Sequence, residues 1–278
     1  MVRADLLDCV DEFLRASRKK KDLPFGGAQM IMIGDLYQLP PVVTSAEKYS
    51  FAQQYPTSYF FSANALKNFP MEYIELEKIY RQSDAAFIRI LNAIRNNTVD
   101  EDLLAKLNQQ VRENFNPPKD KLHITLTPTN AAAQTINQAR LRELKGEAWK
   151  YRGHISGTFD EKQVPADQEL LVKPGAQVMM AANDRQGRWV NGSVGKIVKK
   201  SAIHGKPDLL WVEFEKGRKE KVEPYTWEMF SYRYDPDTRQ VETETVGSFT
   251  QYPLKLAWAV TIHKAQGKTF DRVVIDMG

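Results

Sequence analysis

Three stretches of the sequence carry side chains whose types and spacing suit chemistry on phosphates. Asp35 and Gln38 leave the apolar run Met30-Ile31-Met32-Ile33 through Gly34 and are followed by Pro40-Pro41. Residues that leave the carboxyl edge of a parallel sheet face its ligand crevice, so this pair is placed to sense a bound group there. An ordinary turn in which Asp35 caps the backbone and the prolines end the strand accounts for the same residues. Arg81 falls in a loop immediately before a helical pattern. A loop arginine can reach a developing phosphoryl charge, and one such finger supplies about 10³ to 10⁵ in rate; a surface pair with Glu77 or Asp84 is the alternative. Thr261, His263, Lys264 and Gln266 follow a third apolar run. Hydroxyl, imidazole, ammonium and amide groups can all donate to phosphate oxygens, while a structural role explains His263 taken alone.

The elements that must position these residues follow from periodicity. An unbroken apolar run such as 30–33 predicts a strand buried on both faces, as a parallel α/β sheet supplies. Residues 71–76 predict a second strand and 122–127 a third, with 254–260 and 273–275 as later buried strands. Leu6, Leu7, Val10, Phe13 and Leu14 recur at helical spacing, predicting an amphipathic helix over residues 4–18. Ser83 is the expected N-cap of a helix whose stripe is Phe87, Ile90, Leu91 and Ile94. Asp100 opens another helix, with acidic residues in its first turn. Asn130 is the expected N-cap of a helix running to about Lys145, and a helix start just beyond a parallel strand is an anion site. Asp11-Glu12 lies inside the first helix, which excludes it as a metal pair leaving a strand end. The aromatic residues between Tyr49 and Phe69 could stack bases, but such clusters are ordinarily core. From 149 to 252 the texture changes to short β-rich runs punctuated by Asn191-Gly192, Gly205 and Pro236, predicting a small antiparallel barrel.

Gly34-Asp35-Leu36-Tyr37-Gln38-Leu39-Pro40-Pro41-Val42 resembles, residue for residue, the GDxxQLPPV motif of superfamily 1B DNA helicases of the Pif-type and RecD-like family. Tyr80-Arg81-Gln82 with Asp84 and Phe87 is similar to the family's arginine-bearing fourth motif, and Thr261 to Thr269 to its fifth. Asn191-Gly192-Ser193 and Pro253-Leu254 also fit. The resemblance implies an α/β chain of RecA-like P-loop helicase domains, with residues 1–72 ending the first domain and 73–148 beginning the second. Residues 149–252 would then be the inserted barrel and 253–278 the returning segment. It implies ATP with Mg²⁺ as cofactor, 5′-to-3′ travel on single-stranded DNA, and Asp35, Gln38 and Arg81 as nucleotide sensors and finger. Thr127, Asn130, Asn191, Thr261, His263, Lys264, Gln266 and Gly267 would contact DNA.

Composition bounds the reading without deciding it. A chain of 278 residues holds about two domains, and 42% hydrophobic with 27% charged residues excludes a disordered one. No apolar run approaches the roughly 20 residues of a membrane span, and the first residues lack a secretory pattern. The single cysteine, Cys9, cannot form an internal disulfide and is expected to be a buried thiol, which points to an intracellular location. A net charge of +4 permits nucleic-acid binding. Basic residues gather at Arg15 to Lys21 and again between Lys196 and Lys221, where solvated surfaces are the competing explanation.

One departure from the family pattern matters. Gly267-Lys268-Thr269 ends like a P-loop, but the glycine required five positions before Gly267 is Ile262, and a strand rather than a helix is predicted afterwards. The 278 residues contain no other GK pair followed by Ser or Thr. Met1-Val2-Arg3 is similar to residues that follow the family's Asp-Glu metal motif, and the final arginine motif is absent. Hence no metal ligands are expected here, and no ATP is expected to bind this chain alone. The missing phosphate cradle would come from an amino-terminal domain or another chain. The rival reading is a non-enzymatic DNA-binding remnant or subunit, and a third is a P-loop enzyme of unrelated chemistry that uses Lys268.

Overall fold

The computed structural model describes residues 2–78, 80, 84–113, 115–118, 121–159, 164–235 and 240–276. They fall into two units, Met1–Asn114 and Phe115–Gly278.

In the first unit, α1 (Ala4–Ser17) matches the predicted helix closely. Leu7, with Val10 and Leu14, packs with Phe25, Phe51, Tyr55 and Leu66. The opposite stripe is exposed: Leu6 is 52% and Phe13 65% accessible, and Cys9 shares that exposure. The expectation of a buried thiol is therefore corrected. Cys9 stands two residues from Leu7, about 200° around a helix of 3.6 residues per turn. Asp11 is instead a buried structural group. Its carboxylate accepts the Phe25 amide and the Arg15 Nε, holding Phe25 at φ +52°. A 3-10 turn (Pro24–Gly27) carries that residue. Arg18 also donates to the Gly26 carbonyl, so two of the first basic run's side chains serve the fold. Phe51 of α2 (Lys48–Gln54) and Tyr55, which follows it, are core, whereas Tyr49 is 78% exposed.

Residues 30–33 and 71–76 are not strands, contrary to expectation. Ile31 and Ile33 are 78% and 90% exposed, and Leu76 84%. A strand needs a ladder partner for its amides and carbonyls, and the described residues of this unit contain no strand, only an isolated bridge between Arg3 and Tyr59. α3 (Ala85–Arg95) begins at Asp84, whose carboxylate accepts the Ala86 and Phe87 amides. Ser83, the expected cap, lies outside the described residues, and Asp84 does the work because its carboxylate reaches two orphan N–H groups. The predicted stripe is largely uncovered: Phe87, Leu91 and Ile94 are 41%, 44% and 47% exposed, and Ala93 is the buried residue. α4 (Glu101–Asn108) starts as expected, its Asp100 carboxylate accepting the Leu103 amide.

The second unit is built on a parallel sheet. β1 (Ile124–Thr127) lies between β12 (Ala259–Thr261) and β13 (Val273–Ile275). β13 was expected to be buried, yet Val273 and Ile275 are exposed. It is an edge strand with a ladder on one side only. α5 (Asn130–Glu143) follows β1. Residues 149–251 form β2 (Trp149–Arg152), β3 (His154–Gly157), β4 (Glu169–Val172), β5 (Gln177–Met180), β6 (Val194–Ile203), β7 (Lys206–Phe214), β8 (Lys219–Val222), β9 (Tyr225–Asp235) and β10 (Gln240–Gln251). With β11 (Leu254–Leu256) added, all pair antiparallel, in sheets ordered β2-β4, β3-β10-β9 and β11-β5-β6-β7-β8. The apolar run 254–260, expected as one strand, is thus split at Ala257 between two sheets. Both sheets contribute to packing around Leu170, Val178, Ile197, Leu210 and Leu254 or around Ile124, Met179 and Val260.

Two side-chain amides, Gln177 buried and Asn137 half-buried, lock these layers. Gln177, 2% exposed, donates from Nε2 to the carbonyls of His123 and Ala257, each at 2.7 Å. Asn137 on α5 donates to the Ala259 carbonyl at 2.8 Å and accepts the Ala259 amide at 2.9 Å. The exits of β1 and β12 are thereby fixed side by side, with Thr127 paired to Thr261.

Candidate nucleic-acid interface and nucleotide-sensing loop

In the first unit, Asp35 and Gln38 form a closed turn. The Gln38 amide donates to the Asp35 carbonyl at 3.2 Å, and the Asp35 carboxylate accepts the Tyr37 amide at 3.0 Å and Gln38 Nε2 at 3.4 Å. Arg95, the last residue of α3, sits beside it, 3.6 Å from Asp35 Oδ1 and with its guanidinium 4.7 Å from the Tyr37 ring centre. Sequence reasoning did not mark Arg95. Arg81 lies outside the described residues.

In the second unit the expected interface residues converge where β1 and β12 end. Thr129, not Asn130, caps α5: its hydroxyl accepts the Ala132 amide at 3.2 Å. This corrects the expected cap, since Thr129 is the residue with extended backbone and Asn130 is already helical. The shift frees the Asn130 side chain, whose Oδ1 accepts Lys264 Nζ at 2.9 Å. Lys264 belongs to α6 (Ile262–Ala265), a single turn capped by the Thr261 hydroxyl. Lys264 and His263 are exposed. Gly267 at φ +75° takes the left-handed turn that ends this segment, and the Lys268 amide closes it on the Ala265 carbonyl.

Thr127 and Thr261 do not face solvent. They are 0% and 5% exposed. The Thr127 hydroxyl donates to the Thr129 carbonyl, so both threonines shape the loops that present Asn130 and Lys264. Asn191 lies in the turn between β5 and β6. Its amide donates to Asn183 Oδ1 at 2.8 Å and its own Oδ1 accepts Lys268 Nζ at 3.1 Å. The Asp184 carboxylate grips Arg188 at 2.7 and 2.9 Å and the amides of Gln186 and Arg188, shaping this loop. Hydrogen bonds from Arg188 hold Asp184 down at about 2.

Lys268 and Lys255 were not among the residues expected to contact DNA. Burial lowers the Lys268 ammonium from its ordinary range. Lys255, on β11, is lowered first by burial and also by the charges of Lys264 and Lys268, with Asp167 acting in the opposite sense. Lys268 was read as part of the fifth motif and as the end of a false P-loop, with no contact assigned to it. Its spacing of four from Lys264 was the signal available.

An α/β unit with a parallel sheet whose exit loops gather basic and amide groups is of the RecA-like class. Residues 1–103 match the PIF1-like helicase family. Across its full length the chain is 33% identical to the ATP-dependent DNA helicase PIF1 of Xenopus laevis, covering 41% of that protein. It is 28% identical to Pif1 of Bdellovibrio bacteriovorus over 96% of the chain and 56% of that relative. The crystal structure of Bacteroides Pif1 with ADP-AlF4 superposes with a TM-score of 0.79 at 37% identity, covering 99% of this chain and 62% of that one. The ssDNA-bound form of Bacteroides Pif1 gives 0.69 at 36% identity, over 99% and 62%. The chain is thus similar to PIF1-like helicases, by the family match over residues 1–103 and by relatives and solved structures over nearly its full length. It spans about two fifths of the length of the vertebrate relatives it matches.

Among the described residues no three His, Cys, Asp or Glu side chains gather to hold an ion. Lys268, the one lysine of a GK[ST] sequence, is followed by β13 rather than a helix and bonds Asn191 instead. Among the described residues no helix is long and apolar enough to cross a membrane.

Proposed function

We propose that this chain is the strand-gripping part of an intracellular, ATP-dependent 5′-to-3′ DNA helicase. In this reading a phosphate cradle and metal carboxylates from an amino-terminal domain or another chain complete the nucleotide site. Gln38 and Arg81 then sense the γ-phosphate, and the loops at Asn130, Asn191 and His263 to Gly267 hold single-stranded DNA. The reading is carried by the Lys264–Asn130 bond, which joins the exits of two adjacent parallel strands into one donor-rich surface. Phosphate contacts from such groups fix a strand without reading its sequence.

The purified chain should bind single-stranded oligothymidylate with an affinity that falls steeply as salt rises, and should show no Mg²⁺-dependent ATP hydrolysis. Clear ATP turnover by the 278 residues alone would sink the division of labour, and salt-insensitive, sequence-selective binding would sink the phosphate-gripping role. One rival is a DNA-binding remnant, in which the same strand-facing groups would serve without a nucleotide site. Supplying an amino-terminal P-loop domain from a relative separates the two: restored DNA-stimulated ATPase activity supports the helicase.

A further inference from the structure

We propose that Lys268 and Asn191 form a second phosphate seat on the DNA path, beside the one at Lys264 and Asn130, and that Gly192 exists to leave room for it. The inference rests on the DNA-binding reading above and extends it to a residue outside the expected interface.

The two pairs are built alike. In each, an ammonium donates to an asparagine Oδ1, at 2.9 Å for Lys264 and 3.1 Å for Lys268. An ammonium has three N–H donors and no acceptor, and an asparagine amide presents two more N–H groups beside the oxygen it has given up. Each pair therefore offers several N–H donors side by side, which suits a phosphate. Both lysines take their bond from a neutral amide oxygen, which leaves the positive charge uncancelled. They are four residues apart, one on α6 and one just past the Gly267 turn, so successive seats lie along one short segment.

Gly192 supplies the independent observation. Its φ is +96°, and a Cβ there would lie 2.7 Å from Lys268 Nζ and 2.9 Å from its Cδ. The turn cannot yield, because the Gly192 amide donates to the Met180 carbonyl and the Ser193 amide to the Val190 carbonyl, each at 2.9 Å. Any side chain at 192 must push the lysine out. The electrostatics agree. Burial already disfavours the Lys268 ammonium, and Lys255 feels both Lys264 and Lys268 as repulsive neighbours. Three like charges sharing one neighbourhood are a liability that an arriving anion relieves.

The test is fluorescence anisotropy of the whole chain with labelled oligothymidylate across a salt series. Losing one phosphate contact on a single strand flattens the slope of log affinity against log salt by about 0.7. Lys268→Met should show that flattening and Lys268→Arg should not. Gly192→Ala, with the lysine intact, should reproduce it, and adding Lys268→Met to Gly192→Ala should flatten the slope no further. If Gly192→Ala fails to fold, shown by loss of its cooperative melt, the two lysine variants decide the matter. An unchanged slope in Lys268→Met, while the unaltered chain binds normally, overturns the second seat alone. Failure of the unaltered chain to bind overturns the DNA-binding reading and the seat with it.

Discussion

Residues 30–35 in one unit and 122–130 in the other carry the same message in sequence, an apolar run released into a polar loop with chemistry at its exit. Only the second is a strand. β1 has β12 and β13 on its two sides, with Gln177 and Asn137 fastening the neighbouring carbonyls. Residues 30–33 have no ladder partner among the described residues of their unit, and Ile33 is 90% exposed. The difference shows that an apolar run states a capacity to be buried, while the ladder that uses the capacity comes from elsewhere in the fold. It also separates the functional loops. Asp35 and Gln38 sit on a turn held by its own hydrogen bonds and by Arg95, whereas Asn130 and Lys264 sit on a sheet edge fixed by buried contacts.

The strongest way to break this contrast is a matched pair of truncations. Ile124, 2% exposed, packs with Met179 and Val260. Ile124→Ala should cost about 3 kcal/mol in denaturant unfolding, because a cavity is left as well as transfer energy lost. Ile33→Ala should stay within about 0.5 kcal/mol. Comparable losses at the two positions would mean that residues 30–33 are buried in solution, and the comparison would collapse.

The same contrast explains what could be read from the residues alone. The helix of α1, the Asp100 cap, β1 with α5, and the convergence of Asn130, Asn191 and Lys264 were legible because each follows from a local period or from a motif of fixed length. Cys9 was misread because the apolar positions of α1 fill two faces, of which only that of Leu7 is covered. The run 254–260 was misread because a single apolar stretch does not announce a change of sheet. The Ala257 amide turns to the Gln177 carbonyl at 3.0 Å, a contact 80 residues away in sequence. Lys268 and Arg95 were missed for a related reason: their partners, Asn191 and Asp35, are distant along the chain and lie in other motifs, so no single window shows the pairing.

A smaller effect probes how the interface loop of the second unit is held. Asp184 titrates at about 2 because Arg188 hydrogen-bonds its carboxylate, below the roughly 3.9 of an unfolded aspartate. The folded carboxyl thus releases its proton more readily than the unfolded one. Its contribution to stability is complete above about pH 4 and is lost as pH falls toward 2. Asp184→Asn should flatten that acid limb in thermal melts of the chain. Some of the limb should persist, because Asp8 in the first unit also lies below its usual range: burial raises it, but the amides of Ala65 and Asn64 with the Tyr55 hydroxyl outweigh that. An acid limb unchanged in Asp184→Asn would show that the loop does not depend on this pair.

The smallest effect expected concerns Arg95, and it tests the weaker side of the comparison. Its guanidinium is 42% exposed and its partner carboxylate 30%, so the ion pair is worth at most about 1 kcal/mol, and its stacking on Tyr37 adds a similar amount at most. Global stability of Arg95→Ala should therefore change little. The local consequence should be larger, since residues 35–38 lie on no strand and Arg95 ties their turn to a helix. Hydrogen exchange at the Tyr37 and Gln38 amides should speed up in Arg95→Ala and return to the original rate in Arg95→Lys only in part, because a lysine supplies the charge without the flat surface that stacks on the ring. If exchange at both amides is unaltered in Arg95→Ala, the turn is self-sufficient. The sensing loop would then owe nothing to α3, and the contrast with the sheet-fixed loops of the second unit would be one of degree.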